Sequence, residues 1–193
     1  ILQYYGRLEP FSFSIYPQPK QKELPTWLTC SGSPERFQEA GQIGANVLTG
    51  LNFQPLSDLQ EKIDLYRAMH RDGDGHVTLM MHTFLGETEE EVRQTVKRPF
   101  MDYLSDSINL WGNRWNVSER LSGHQRELIL EAAFARFYQT KALVGTVSSC
   151  AKLVQELQEI GVDEIACLVD FGVDPNQVMG GLQMLNQLRK QLA

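Results

Sequence analysis

One short run of small polar residues has the composition of an anion-binding turn. Ser31-Gly32-Ser33-Pro34 separates a predicted strand over residues 26–30 from a predicted helix over residues 34–43. A helix begins with free backbone N–H groups and a partial positive charge, while Gly32 lets the backbone approach a ligand closely. The two serine hydroxyls add hydrogen-bond donors, so we expect this turn to hold a phosphate. The alternative is that Ser33 only caps the helix.

A histidine near the end of a predicted strand is the candidate for proton chemistry. This strand covers residues 76–84, and the residues that share the face of His82 are His76, Thr78, Met80 and Phe84. If that face points into a barrel, His82 lies near the mouth, where it could hydrogen-bond a substrate or stabilise developing charge. The alternative is a histidine whose role at the rim is only structural.

Several other chemistries lack their residues in this sequence. No predicted strand carries a lysine for Schiff-base formation, no G-x-S-x-G motif is present, and no strand end holds two carboxylates. His76 and His82 would lie about 20 Å apart along an extended strand, so they cannot share a metal ion. The Asp72-Gly73-Asp74-Gly75 run lacks the later ligands of a calcium loop, and we predict no metal site. A bound cofactor would then supply the chemistry.

The elements that must position these residues alternate between strands and helices. Short apolar strands that are each followed by a helix indicate a parallel sheet covered by helices. Four such units make half of an eight-stranded (β/α)₈ barrel, and a complete barrel takes about 250 residues. A doubly wound open sheet is the alternative, although its G-x-G-x-x-G fingerprint is absent. The predicted strands are residues 26–30, 46–50, 76–84 and 164–171, and the predicted helices include residues 34–43, 57–69 and 148–160.

Two segments fall outside this alternation, within what we interpret as a single domain over residues 1–193. Residues 1–24 are irregular apart from a strand-like alternation at residues 11–15, and we interpret them as an excursion across a barrel rim. Residues 108–142 combine a loop-like segment at residues 111–115 with a helix at residues 125–138. We interpret this region as a helical insertion before the last helix-strand unit.

Composition excludes some partners and favours one compartment. The 193 residues carry a net charge of −6 with no basic run, so we expect no nucleic-acid partner. No apolar stretch approaches the roughly 20 residues that span a bilayer. The three cysteines are far apart and form no C-x-x-C, which favours a reducing compartment such as the cytoplasm. The chain opens on Ile1-Leu2-Gln3, as an excised or processed piece would.

Six runs of residues carry a resemblance to a known family, in the same order along essentially the whole chain. These runs are Tyr16-Pro17-Gln18-Pro19, Leu24-Pro25-Thr26-Trp27-Leu28-Thr29, Ser31-Gly32-Ser33-Pro34-Glu35, Gly44-Ala45-Asn46-Val47-Leu48-Thr49, His76-Val77-Thr78-Leu79-Met80-Met81-His82-Thr83-Phe84-Leu85-Gly86 and Gly161-Val162-Asp163-Glu164-Ile165-Ala166-Cys167-Leu168-Val169-Asp170-Phe171-Gly172. They resemble the luciferase-like, flavin-dependent monooxygenases. More narrowly, they are similar to the branch embedded in nonribosomal peptide and polyketide synthetase assembly lines.

The resemblance implies a (β/α)₈ barrel that uses reduced FMN and O₂ to oxygenate an organic substrate. In the assembly-line branch this substrate is often an acyl or aminoacyl group on a carrier domain. The family's phosphate-binding turn carries over to Ser31, Gly32 and Ser33, with Thr29 as a further cofactor contact. Thr49 is then a candidate substrate contact and His82 a candidate catalytic residue. A flavin reductase and a second copy of the chain, in a homodimer, are the partners that the resemblance suggests.

One departure from the family limits these expectations. The family's N-terminal half, with four strands and much of the flavin-ring pocket, has no counterpart in the sequence. Half a barrel exposes two sheet edges and its inner face. We therefore expect this chain to be the C-terminal half, inactive until an N-terminal half or a parent polypeptide completes it. The alternative is a non-catalytic half-barrel module that binds flavin or phosphate.

Overall fold

The computed structural model describes residues 2–4, 11–13, 16–18, 20–21, 23–51, 54–71, 73–112 and 123–192. Its elements in chain order are β1 (Leu2–Tyr4), β2 (Phe11–Phe13), β3 (Trp27–Thr29), α1 (Pro34–Ile43), β4 (Asn46–Gly50), α2 (Leu56–Met69), β5 (Val77–Leu85), α3 (Glu89–Gly112), α4 (Gly123–Thr140), β6 (Leu143–Gly145), α5 (Val147–Glu159), β7 (Glu164–Leu168) and α6 (Pro175–Leu192). None of the helices described is both long and apolar enough to cross a membrane.

The central sheet is parallel, and β5 is the strand around which it is built. β3 pairs with β4, β4 pairs with β5, and β5 pairs with β7, so that Leu48 lies beside Thr78 and Met80 beside Ala166. The three residues of β6 pair with the last residues of β5. The molecule is thus an α/β fold with a helix-covered parallel sheet, consistent with part of a (β/α)₈ barrel.

Two hydrophobic cores lie against β5. Its odd-numbered apolar residues Val77, Leu79, Met81 and Leu85 belong to a core that also contains buried residues of α1, α2, α5 and α6. Phe84, an even-numbered residue, belongs to a second core with buried residues of α3 and α4. Strand residues alternate between faces, so β5 separates one set of helices from the other. His82 shares the face of Phe84.

The first turn of α3 is linked to the start of α5 by the carboxylate of Glu89. Its Oε1 accepts hydrogen bonds from the Thr146 backbone N–H at 3.1 Å and from the Ser149 hydroxyl at 2.6 Å. Its Oε2 accepts from the Tyr138 hydroxyl of α4 at 3.2 Å. Thr146 and Ser149 also form a reciprocal capping box. A negative charge at this helix start is favourable and ties three helices together.

The structure confirms some predicted boundaries and corrects others. α1 covers residues 34–43 and β4 covers residues 46–50, as predicted, and β3, α2 and β5 lie within a residue or two of prediction. The prediction of a loop at residues 111–115 was wrong in part, because Trp111 and Gly112 complete the last turn of α3. The strand predicted at residues 164–171 ends three residues earlier, because its pairing with β5 stops at Leu168. Strand β6 was not predicted, since three residues after a helix carry no measurable periodicity.

The two irregular segments are described only in part. Within residues 1–24, β2 confirms a strand at residues 11–13, and it pairs antiparallel with β1, which was not predicted. Residues 14 and 15 lie outside the described residues, as do residues 113–122 of the proposed insertion. α4 covers the helix predicted at residues 125–138 and extends it by two residues at each end. The rim excursion and the insertion stay predictions.

Candidate functional site

The turn after β3 projects from the carboxyl end of the sheet. Cys30 is fully buried and its N–H donates to the Leu48 carbonyl at 2.9 Å, which extends the pairing of β3 with β4 by one residue. Gly32 then adopts a φ of +92°, and a Cβ built there would meet no atom within 4 Å. Ser31 is exposed and Gly32 half-buried. The backbone of this turn is therefore open to a ligand and has a conformation that favours glycine.

Helix α1 starts directly after this turn. Ser33 occupies the N-cap position and Pro34 the first helical position, as predicted, but the Ser33 side chain makes no capping hydrogen bond. Its hydroxyl instead donates to the Glu35 carboxylate. This bond, together with the backbone N–H of Glu35, holds the pKa of the Glu35 carboxyl below its usual value. The Glu35 carboxylate thus occupies hydrogen-bond donors that a bound phosphate would use.

A chain of buried polar side chains supports the turn from the core side. The Thr49 hydroxyl donates to the Cys30 carbonyl at 2.7 Å. The Gln54 amide Nε2 donates to Thr49 Oγ1 at 3.1 Å and to the Gly50 carbonyl at 3.0 Å. Lys62 Nζ donates to Gln54 Oε1 at 2.7 Å. Three hydrogen bonds therefore connect an ammonium group on α2 to the last carbonyl before Ser31.

The predicted contacts Thr29 and Thr49 differ in accessibility. Thr29 ends β3 and is exposed. Thr49 is only 1% exposed, and its hydroxyl is engaged with the Cys30 carbonyl. Its contact with a substrate stays a prediction, and the structure adds a second role, which is to hold the turn. Gln54 and Lys62 were missed by the sequence analysis. The available signal was that Lys62 shares a helical stripe with Leu59 and Tyr66.

His82 lies among aromatic rings. The ring centroids of Tyr103, Phe100, Phe137 and Phe171 lie 4.7, 5.2, 5.4 and 5.6 Å from that of His82. These rings come from α3, from α4 and from the segment after β7. Burial lowers the pKa of His82, and the negative charge of Asp170 opposes this shift. This shift favours the neutral imidazole, which donates at one ring nitrogen and accepts at the other.

The turn and His82 belong to the same end of the sheet but do not touch in the described structure. Thr29 pairs with Leu48 and Leu48 with Thr78, so His82 lies four residues further along β5 and two strands away. His76 lies at the opposite end, where its Nε2 is 3.3 Å from Glu164 Oε2. Among the described residues no group of three metal-ligating side chains comes together.

A family model described as luciferase-like monooxygenase matches residues 1–164. The chain belongs to the luciferase-like monooxygenase family. The match includes the turn, the buried polar chain and His82. A search of curated proteins gives no match to this chain.

Solved structures agree on the fold. Monooxygenase RslO1 from Streptomyces bottropensis is 16% identical, with a TM-score of 0.66 over 100% of this chain and 56% of its own. The oxygenating constituent of 3,6-diketocamphane monooxygenase from Pseudomonas putida, a type II Baeyer-Villiger monooxygenase in complex with FMN, is 13% identical, with a TM-score of 0.62 over 95% of this chain and 56% of its own. The coenzyme F420 dependent tetrahydromethanopterin reductase from Methanopyrus kandleri is 13% identical, with a TM-score of 0.60 over 86% of this chain and 51% of its own.

These likenesses extend over only part of each solved structure. The chain spans about half the length of the three proteins. At such low identity the likeness concerns the fold alone. The activity, substrate and partners of this chain are therefore proposals.

Proposed function

We propose that this chain is the phosphate-holding part of a flavin-dependent monooxygenase that uses reduced FMN and O₂ to oxygenate an organic substrate. The observation that carries the proposal is the turn formed by residues 30–33. It combines an open glycine backbone, two serine hydroxyls and the start of a ten-residue helix at the carboxyl end of a parallel strand. Ligands of parallel α/β folds bind at that end.

The donors of this turn fit a phosphate monoester such as that of FMN. The backbone at Gly32 has open space where a side chain would otherwise lie. The exposed hydroxyl of Ser31 and the hydroxyl of Ser33 can donate to phosphate oxygens, since serine is both donor and acceptor. Glu35 must turn away to release Ser33, which an exposed side chain can do easily. When bound, reduced FMN supplies the electrons for oxygen activation.

His82 is proposed to act near the reacting end of the site. A neutral imidazole can orient a substrate or hold a proton at one ring nitrogen without introducing a buried charge. The four aromatic rings around it exclude water and restrict its orientation. We further propose that Thr29 contacts the cofactor and that Thr49 contacts the substrate.

The proposal also covers the carrier of the substrate, the partner proteins and the cellular compartment. We propose that the chain belongs to the assembly-line branch, with an acyl or aminoacyl group on a carrier domain as substrate. The rest of the barrel, supplied by another chain or a parent polypeptide, would complete the flavin-ring pocket, and the assembled enzyme would be a homodimer fed by a flavin reductase. The free thiols of Cys30, Cys150 and Cys167 agree with a cytoplasmic location.

A second candidate function is a non-catalytic module that binds flavin or phosphate. Such a function needs only the open glycine turn and the helix start at residues 30–34, and not the His82 cluster. Such a module would keep FMN without turnover. Oxygen uptake driven by reduced FMN in a completed barrel would decide for the enzyme, and stoichiometric FMN without uptake would decide for the module.

The turn is tested by titrating the chain with FMN and following the ³¹P resonance of its phosphate. We expect saturable binding that Ser31→Ala weakens. The matched control is Ser148→Ala, because Ser148 is an exposed serine in the first turn of α5, where Glu89 already accepts the available donors. An unchanged ³¹P signal at saturating FMN, or equal effects of the two variants, would contradict the phosphate site.

A further inference from the structure

Lys62 is a buried cation that has no anionic partner among the residues that the structure describes. Lys62 is 8% exposed, and it is the only buried Lys, Arg, Asp or Glu among the residues that the structure describes. Its ammonium donates to the neutral Gln54 amide oxygen at 2.7 Å, and the described part of the chain contributes no ion pair to it. A buried charge is costly unless it is paired, so an anion bound near Lys62 would be stabilised by it.

The hydrogen bonds that start at Lys62 lead to the backbone carbonyl of Cys30, just before the anion-binding turn. From Gln54 they pass to Thr49 and from Thr49 to the carbonyl of Cys30, with donor–acceptor distances of 2.7, 3.1 and 2.7 Å along the chain. Gln54 and Thr49 are 2% and 1% exposed, so this path excludes water. Chains of hydrogen bonds in a low-dielectric interior polarise one another, which orients each amide and hydroxyl dipole along the path.

We infer that Lys62, Gln54 and Thr49 are positioning residues that give the turn its affinity for a phosphate dianion. The inference rests on the proposed function and adds the source of the positive charge, which the turn itself lacks. The phosphate is the countercharge of Lys62, and Gln54 and Thr49 fix the Cys30 carbonyl so that the following backbone presents its N–H groups outward.

Two features favour a phosphate over a substrate carboxylate as this countercharge. The path from Lys62 ends at the residue immediately before Ser31-Gly32-Ser33, and not at the His82 cluster two strands away. A phosphate monoester also carries close to two charges at neutral pH and has three acceptor oxygens. It therefore gains more than a carboxylate from a cation behind a turn of donors.

The test compares FMN with riboflavin, which has the same ring system but no phosphate. Binding of both to the purified chain is measured by calorimetry for Lys62→Met, for Gln54→Glu and for the unmodified protein. Lys62→Met keeps the apolar stem and removes the charge, while Gln54→Glu neutralises Lys62 and removes the amide donors. Lys152→Met is the control, because Lys152 is exposed on α5.

We expect Lys62→Met and Gln54→Glu each to weaken FMN binding by about fivefold or more, the lower range of coupling between linked sites. Riboflavin binding should stay within about twofold, and Lys152→Met should change neither. Equal losses for FMN and riboflavin, or an unchanged preference for FMN, would overturn the inference. If Lys62→Met does not fold by circular dichroism, Gln54→Glu decides alone. An unmodified chain that binds FMN no better than riboflavin would instead refute the proposed phosphate site itself.

Discussion

Replacing Gly32 by alanine separates the conformation of the turn from its packing. The φ of +92° lies in the region that L side chains rarely adopt, and a Cβ there would meet no atom within 4 Å. No steric clash therefore contributes, and the cost is the backbone strain of about 1–2 kcal/mol. Alanine also restricts the unfolded chain, which offsets about 0.4–1 kcal/mol. We expect a net destabilisation of about 1 kcal/mol, or roughly 2–4 °C in Tm for a chain of this size.

The binding effect of Gly32→Ala should exceed its stability effect. A strained turn relaxes toward negative φ, which redirects its N–H groups, and loss of one hydrogen bond to a charged phosphate weakens binding about tenfold or more. Thermal unfolding followed by circular dichroism gives the first quantity, and FMN calorimetry gives the second.

Two other glycines, Gly73 and Gly180, provide control substitutions for Gly32→Ala. Gly73 has a φ of +135° and also open space around its Cβ position, so Gly73→Ala should destabilise the chain without changing FMN affinity. Gly180 lies within α6, and a Cβ built there would meet no atom within 4 Å. Gly180→Ala should therefore stabilise the folded chain by up to about 1 kcal/mol. If Gly32→Ala binds FMN as tightly as Gly73→Ala does, the turn does not hold the phosphate and our reasoning is wrong.

Three further predictions concern charged or titratable groups. Glu35→Gln should tighten FMN binding severalfold at low salt and less at high salt in calorimetry, because it removes an exposed anion that competes for Ser33. Burial opposes ionisation of Glu89, but hydrogen bonds from Ser149, Thr146 and Tyr138 outweigh it and lower the pKa of this carboxyl below its usual value. Glu89→Gln should therefore cost about 0.5–1 kcal/mol in denaturant unfolding at pH 7, and this cost should shrink progressively as the pH falls below 4.5 and the wild-type carboxylate takes up a proton. Burial lowers the pKa of His82 below 6.5, so Tm of the wild type should fall between pH 7.5 and 5.5 as the unfolded state takes up the proton, and His82→Phe should show a smaller fall.

The sequence predicted the helices and strands whose ends are marked by residues within or next to the element. Pro34 at the first helical position and Gly44 at a φ of +72° bound α1, and both act through their own backbone. The three-residue strands β1 and β6 exist because a partner strand lies beside them. Their pairing depends on the tertiary fold, so no spacing within the sequence could have indicated them.

The candidate site also combines residues that a local sequence signal indicates with residues that only the folded chain brings together. The Ser31-Gly32-Ser33 turn was recognisable because its donors are consecutive in sequence. The surroundings of His82 were not, because its ring neighbours come from α3, from α4 and from the segment after β7. Lys62 could have been noticed as a charge on an apolar helical stripe, but its hydrogen bond to Gln54 joins residues eight positions apart that no helical or strand periodicity pairs.

The electrostatics of the turn follow from the two charges placed on either side of it. Glu35 lies in solvent, where water and salt screen its charge, and Lys62 lies in the core, where screening is weak. Before a ligand binds, the Glu35 carboxylate accepts a hydrogen bond from the Ser33 hydroxyl, while the partner of the Lys62 ammonium among the described residues is a neutral amide oxygen. A phosphate that displaces the Glu35 carboxylate therefore exchanges a screened anion for one that the buried cation can stabilise. On this reasoning the turn discriminates by charge density, and a singly charged carboxylate ligand should compete with FMN only weakly.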